Sequence, residues 1–425
     1  MSRYFERSRV IAILFLLVAT QTGRGEQPPA VPAATPVESV LDRYQPRSNL
    51  PELTGTDYGP AGLYGPPGGT YYRARSHYWG QVDYLLWWMQ GEAINTLATD
   101  PNGNSVLGGN RLNDDARSGV RVRGGYNFDC DALCGVMVDY WSLGSHTETA
   151  AISNGAANGL LFPFTDMDLT LPSNQINGCV CLDLLVGTAA TLPLNSLSVA
   201  SQSQIWSGSG LLRGRLYSSY CCQDGCGCCP SFKRNGFRVD GLFGYRYLDL
   251  DESMVINSSL SPATGVITGV DRFATDNDYH GVDFGIVGER ECGRWSLEAV
   301  GRCGLGINRQ TLMVSGSGNR LGGVFAQTTN IGTFQHDAVT VIPELNLTAG
   351  YALTPNIRAR CGYSFLWLSN VLRPAKQIDT RIDGRFLNAT VAQPIANPPA
   401  FFPAQRFETE SVWLQGLNFG LEAWF

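Results

Sequence analysis

Between residues 77 and 425 the chain repeatedly alternates apolar and polar side chains with a period of two. The segment from Arg117 to Phe128 shows the pattern plainly. Ser118, Val120, Val122, Gly124, Tyr126 and Phe128 fall on one side, and Arg117, Gly119, Arg121, Arg123, Gly125 and Asn127 on the other. Successive side chains of an extended chain point to opposite faces, so this is a strand with an apolar face and a row of arginines. The same split recurs over residues 77–88, 133–144, 205–220, 236–250, 279–289, 294–308, 338–353, 357–370 and 411–425. A tilted strand needs roughly 9–11 residues to cross a bilayer, whereas strands of soluble domains run nearer 5–6 residues. Pro343, which has no N–H to give to a ladder, marks a bulge or an interruption in its strand.

No later stretch offers the eighteen or so continuous apolar residues of a membrane-crossing helix. The N-terminus does carry Arg3, Arg7 and Arg9 ahead of the apolar run Val10 to Ala19. Ten apolar residues are too few to span as a helix, so residues 1–25 read as a secretory signal cut near Gly25, with an uncleaved anchor as the alternative. Residues 26–76 are rich in Pro, Gly and Ala and read as a flexible periplasmic arm. The barrel is expected over 77–425.

The connections supply a second regularity. Those near 129–131, 221–235, 290–293 and 354–356 are tight, and those at 89–116, 145–204, 251–278, 309–337 and 371–410 are long. Short and long alternate, as in a membrane barrel with short periplasmic turns and long external loops. The expected fold is therefore all-β: a transmembrane antiparallel up-and-down barrel of about ten strands, within a range of 8–14, in the outer membrane of a double-membraned bacterium. A soluble double sheet would give the same alternation. Leu417, Phe419, Leu421, Ala423 and Phe425 alternate up to a terminal aromatic, similar to the signature by which bacterial barrels are recognised for insertion. Outer-membrane lipid and the barrel-assembly machinery are the partners this implies.

The run Tyr78-Trp79-Gly80-Gln81-Val82-Asp83-Tyr84-Leu85-Leu86-Trp87-Trp88 resembles the opening strand of the putative beta-barrel porin family, type seven. Gly119 to Tyr126 and the ending Trp413 to Glu422 are similar to it as well. The resemblance covers residues 77 to 425 and implies a barrel, but it brings no substrate and no catalytic residues.

Inward-facing positions are the first candidates for function. They are Arg117, Arg121, Arg123, Arg213, Arg215, Arg238, Arg246, Arg302, Arg358 and Arg360, with Asp83, Asp139, Asp240, Asp283, Glu298, Glu344 and Glu422. Rows of charge along a pore tune ion selectivity, and the basic excess would favour small anions or other small solutes. Equally, opposite charges can pair and fill the interior, because a barrel of about eight strands has room only for side chains. Porin-like passage is the first expectation. A non-conducting barrel displaying external loops for cell-envelope interactions is the alternative.

Of 12 cysteines, Cys221, Cys222, Cys226, Cys228 and Cys229 crowd one turn, Cys130 and Cys134 flank another, Cys292 lies on a third, and Cys179 and Cys181 fall in a long loop. Their spacing departs from the paired C-x2-C pattern of zinc sites, so disulfides in an oxidising periplasm are expected, with no metal or cofactor. Cys303 and Cys361 fall on the lipid side. A net charge of −6 argues against nucleic acid as a partner. An enzyme would need a nucleophile held beside one of His77, His146, His280 or His336, and no motif supplies one. Oligomeric state is not legible.

Overall fold

The computed structural model describes residues 77–128, 133–154, 159–167, 188–219, 235–319, 322–388 and 400–425. The signal sequence and arm expected over 1–76 lie outside them. No helix among the described residues is long and apolar enough to cross a membrane.

Ten long strands follow one another: β1 (Tyr78–Met89), β2 (Ala116–Asn127), β3 (Cys134–Ser153), β4 (Thr188–Ser218), β5 (Asn235–Leu260), β6 (Ile267–Cys292), β7 (Trp295–Gly318), β8 (Gly332–Ala352), β9 (Ile357–Leu372) and β10 (Thr409–Trp424). Each pairs antiparallel with the next, and β10 closes on β1 through a ladder from Trp79↔Trp424 to Met89↔Leu414. The sheet thus has no free edge around the ring, which removes the unpaired backbone groups that hydrocarbon would not tolerate.

The outer wall is apolar where hydrocarbon would touch it. On β6, Val282, Phe284 and Ile286 are exposed, and on β7 so are Leu297, Leu305 and Ile307. Aromatic side chains bracket this band. Tyr78 packs on Tyr126, Tyr217 on Phe237, and Trp295 on Tyr351 at the end of the short turns. Toward the other end, Trp206 packs on Tyr247 and Tyr247 on His280. From Arg290 to His280 the outward face of β6 rises through ten residue steps. At ~3.4 Å per residue and a tilt near 40° that is about 25 Å, the height of an outer-membrane apolar band.

The strands continue well past that band, which corrects the expected loops. The sequence pattern predicts a connection over residues 251–278, yet β5 and β6 stay paired from Asn235↔Cys292 to Leu260↔Ile267. β4 and β7 likewise run into segments expected to be loops. The alternation persists there on the inner side, with Met254, Ile256 and Phe273 fully buried. Water on the outer side makes the outward residues polar, and the apolar-versus-polar contrast weakens.

The projecting half is packed from within. The β1–β2 connection, the strand Leu161–Asp166, residues 323–326 and residues 374–387 enter it. They bury Leu97, Leu107, Phe162, Phe325, Ala375 and Ile382 against Met254, Phe273 and Leu312. Asp271, itself fully buried, anchors one of these insertions. Its carboxylate accepts the backbone N–H groups of Val324 (3.0 Å), Phe325 (2.9 Å) and Ala326 (2.7 Å). Pro343 ends the β8–β9 ladder, which stops at Glu344↔Leu366. Beyond it, side chains take over: Ser369 Oγ accepts the N–H of Val341 (2.9 Å), and Asn370 Nδ2 donates to the carbonyl of Val339 (2.7 Å).

Candidate functional site

The inward positions of ten strands converge on the barrel axis, and the charged ones meet there. Arg121 on β2 forks onto Asp139 of β3 with Nε–Oδ1 at 2.8 Å and Nη2–Oδ2 at 2.5 Å. Its Nη2 also reaches Glu344 of β8 at 3.0 Å. Glu344 accepts from Arg246 of β5 and from Arg302 of β7, both at 2.6 Å. Arg246 turns to Asp283 of β6 at 2.9 Å, and Arg302 to Asp139 at 3.2 Å. Three guanidiniums and three carboxylates therefore form one balanced cluster fed by six strands. The side chains of Arg121, Arg246, Arg302, Asp139, Asp283 and Glu344 are each at most 2% exposed.

Guanidinium suits this place. It stays charged at any physiological pH, and its planar fork binds two carboxylates at once. Stripping water from six ions is costly, and only mutual pairing with further hydrogen bonds offsets that cost. Asn346 contributes such bonds, donating to Glu344 (2.8 Å) and accepting from Arg121 (3.1 Å).

A second cluster lies nearer the short turns. Arg360 bridges Glu298 (2.5 Å) and Glu422 (2.9 Å), and Arg358 bridges Glu289 (3.1 Å) and Glu291 (2.7 Å). Arg123 approaches Glu298 at 3.7 Å. Asp240 receives both Arg213 (2.5 Å) and Arg238 (2.7 Å). Asp83 accepts from Gln81 at 2.6 Å. Arg215 lies opposite Asp240 in the ladder. Arg117 sits higher, donating to Ser203 Oγ (2.5 Å) and the carbonyl of Asn113 (3.0 Å).

Directly above the balanced cluster, toward the long-loop end, an apolar belt crosses the interior. Leu85, Trp87, Trp141, Leu248, Tyr279, Ile342, Leu366 and Leu414 form it, all nearly inaccessible. Met137, Leu211, Leu242, Val287 and Val300 make a smaller apolar patch on the other side of the cluster. The charges are thus held between two dry layers contributed by the wall itself.

Above the belt a polar latch fixes the inserted β9–β10 connection. Arg373, fully buried, donates to both oxygens of Glu252 (2.8 and 2.7 Å) and to the carbonyl of Gln90 (2.9 Å). Glu92 accepts the N–H of Ala375, and Glu410 lies 3.6 Å from Arg373. Burial first, then the neighbouring Glu252 and Glu410 charges, push Glu92 up to about 8 against the pull of Arg373. The folded latch therefore binds a proton that the unfolded chain has released at neutral pH. Stability falls as pH rises from the ordinary carboxylate range through about 8. Protease protection of residues 374–387 should accordingly be greater at pH 6 than at pH 9, and Glu92→Gln should flatten the difference. An unchanged pH dependence in that variant would refute the assignment.

The sequence candidates are thus distributed as follows. The seventeen inward candidates stand on the inner side of the wall, and most of them meet an opposite charge rather than forming an open row, whereas Arg117 and Asp83 are held by neutral partners. Leu417, Phe419 and Leu421 face outward on β10 and Phe425, just past its end, is exposed, and Ala423 pairs with Gly80 of β1. Cys130, Cys179, Cys181, Cys221, Cys222, Cys226, Cys228 and Cys229 lie outside the described residues. Cys134 and Cys292 are exposed at strand ends, and no disulfide joins any two of the described cysteines. His77 contacts the carbonyl of Asn127 (2.8 Å), His280 the hydroxyl of Tyr245 (2.6 Å), and His336 the ring of Phe407. Glu92, Glu252, Asp271 and Arg373 were missed because they lie in segments assigned to loops. The signal for two of them was the inner-face alternation that continues through 251–278.

Residues 79–425 match the family described as putative beta barrel porin-7. No curated protein sequence matches the chain. Among solved structures, the outer membrane protease OmpT from Escherichia coli is 10% identical over 84% of this chain and 99% of its own, with a TM-score of 0.41. The anion-selective porin from Comamonas acidovorans is 12% identical over 82% and 98%, with a TM-score of 0.15. The closed ladder, not either neighbour, defines the architecture.

Proposed function

The chain belongs to the putative beta barrel porin-7 family and is an outer-membrane β-barrel of a Gram-negative bacterium, and from that premise we propose that this member is sealed in its resting state. In this reading it works as an anchored scaffold that carries a rigid, packed head above the membrane and displays the connections between its strands to the cell exterior. The observation that carries it is the dryness of the interior. Asp240, Asp283 and Arg246 have no exposed surface, and Asp83 and Arg121 have 1%. A water-filled lumen would wet these groups, as charged rings do in conducting filters.

Passage of small anions or other solutes is the second reading. The family's name and the basic residues on the inner wall favour it. It requires more than displacement of the inserted β9–β10 connection, because the apolar belt and the balanced cluster belong to the strands. The refolded protein should therefore give no ion steps in planar bilayers at moderate voltage, with or without residues 374–387 in place. Regular unitary conductance from folded, heat-modifiable protein would refute the sealed reading and leave passage standing.

A further inference from the structure

We propose a zinc site at the seam between the head and the barrel wall, built from Asp115, His146 and Glu148. One donor atom from each lies within 4.8 Å of the others. Two elements bring them together. Asp115 ends the β1–β2 connection, and His146 and Glu148 lie on β3 beyond the point where its ladder to β2 stops at Gly119↔Leu143. A bulge between Leu143 and His146 shifts the β3 register against β4. It sets His146 opposite Ser203 and Glu148 opposite Ser201, both buried inward positions, so the two side chains turn inward. Bulges are one way a strand re-aims a side chain toward a site.

The histidine supplies the evidence that a ligand belongs there. Although the side chain is 27% exposed, its Nε2 is shielded from water and has no hydrogen-bond partner. The nearest carboxylate oxygen, on Asp115, stands off at 4.0 Å. A buried ring nitrogen left unsatisfied is costly, and a metal ion would satisfy it. Glu148 is already oriented: its Oε2 accepts the N–H of Asn113 at 2.6 Å. Asn113 is fully buried at a φ of +62° and donates its side chain to Ser201 at 2.5 Å. Such outer contacts fix ligands at metal sites. Tetrahedral zinc, with bonds near 2.0–2.1 Å, wants donors about 3.3 Å apart. Asp115, 71% exposed, has the freedom to close that gap. One imidazole and two carboxylates, with water completing the shell, suit zinc better than the all-oxygen shells of calcium or magnesium. Bound there, zinc would staple the β1–β2 connection to β3 where no backbone ladder does.

The test is zinc titration of the full-length, tag-free, folded barrel in detergent, against a chromophoric chelator, after its thiols are alkylated. Wild type should bind one zinc that millimolar magnesium does not displace. His146→Ala should lower affinity by roughly 100-fold, at or beyond the loss seen for outer-shell changes. Glu148→Gln, which keeps the Asn113 contact and so the fold, should also weaken it. Heat-modifiable gel mobility checks that each variant is folded. No zinc on the alkylated wild type, or equal binding by wild type and both variants, would overturn the site.

Discussion

Glu344→Ala should cost the folded barrel about 3–5 kcal/mol, the penalty for breaking a buried ion pair and leaving its partner charges behind. Glu344 accepts from Arg121, Arg246 and Arg302 at once. Removing it leaves three guanidiniums facing only Asp139 and Asp283, between two layers of apolar side chains. Glu344→Gln keeps the volume and one acceptor but not the charge, so most of the loss should persist. The comparison is Asp337→Ala. Its partner Arg309 is 67% exposed and Asp337 itself 62% exposed, and exposed pairs are worth about 0–1 kcal/mol. Urea unfolding in lipid vesicles, followed by heat-modifiable mobility, measures all three. If Glu344→Ala proved no more costly than Asp337→Ala, water would have to reach the cluster, and the sealed reading would fall with it.

The same cluster shows how far sequence carries. Arg121, Asp139, Asp283, Arg302 and Glu344 were each legible as inward, because period-two alternation assigns a face without any knowledge of partners. Which charge meets which was not legible. That depends on register and on ring closure, which bring Arg121 to Glu344 across the interior although they are 223 residues apart. Strand number and direction were legible for the same local reason. Strand length was not: outside the membrane band the outward face is mostly polar, with Asn257, Thr268 and Arg272 around Val270, and one-sided alternation resembles a loop. The inserted connections were invisible because their apolar residues, such as Leu97, Ile378 and Leu387, follow no period. They bury against the inner wall of the projecting strands, a surface that exists only once those strands are known to continue.

Placing an arginine on the lipid side at mid-band should be nearly as damaging as emptying the interior cluster, but only there. Phe284 is 47% exposed on the outward face of β6, midway between the two aromatic belts, opposite Phe243 and Cys303. Phe284→Arg should cost about 2–4 kcal/mol, the penalty for a cation at the midplane of an outer-membrane barrel. Val270, 39% exposed on the same face of the same strand, lies beyond the upper belt in the projecting half. Val270→Arg should be neutral within about 0.5 kcal/mol, as for an ordinary surface change in water. Both residues sit on one strand and one face, so local strand propensity is nearly the same for each. The contrast reports the medium outside the wall. The measurement is urea unfolding from vesicles, repeated in short-chain detergent, where a deformable micelle should shrink the Phe284→Arg penalty and leave Val270→Arg unmoved. Equal penalties at the two positions would mean that the hydrocarbon does not lie between the aromatic belts, and that the height of the membrane on this barrel has been misassigned.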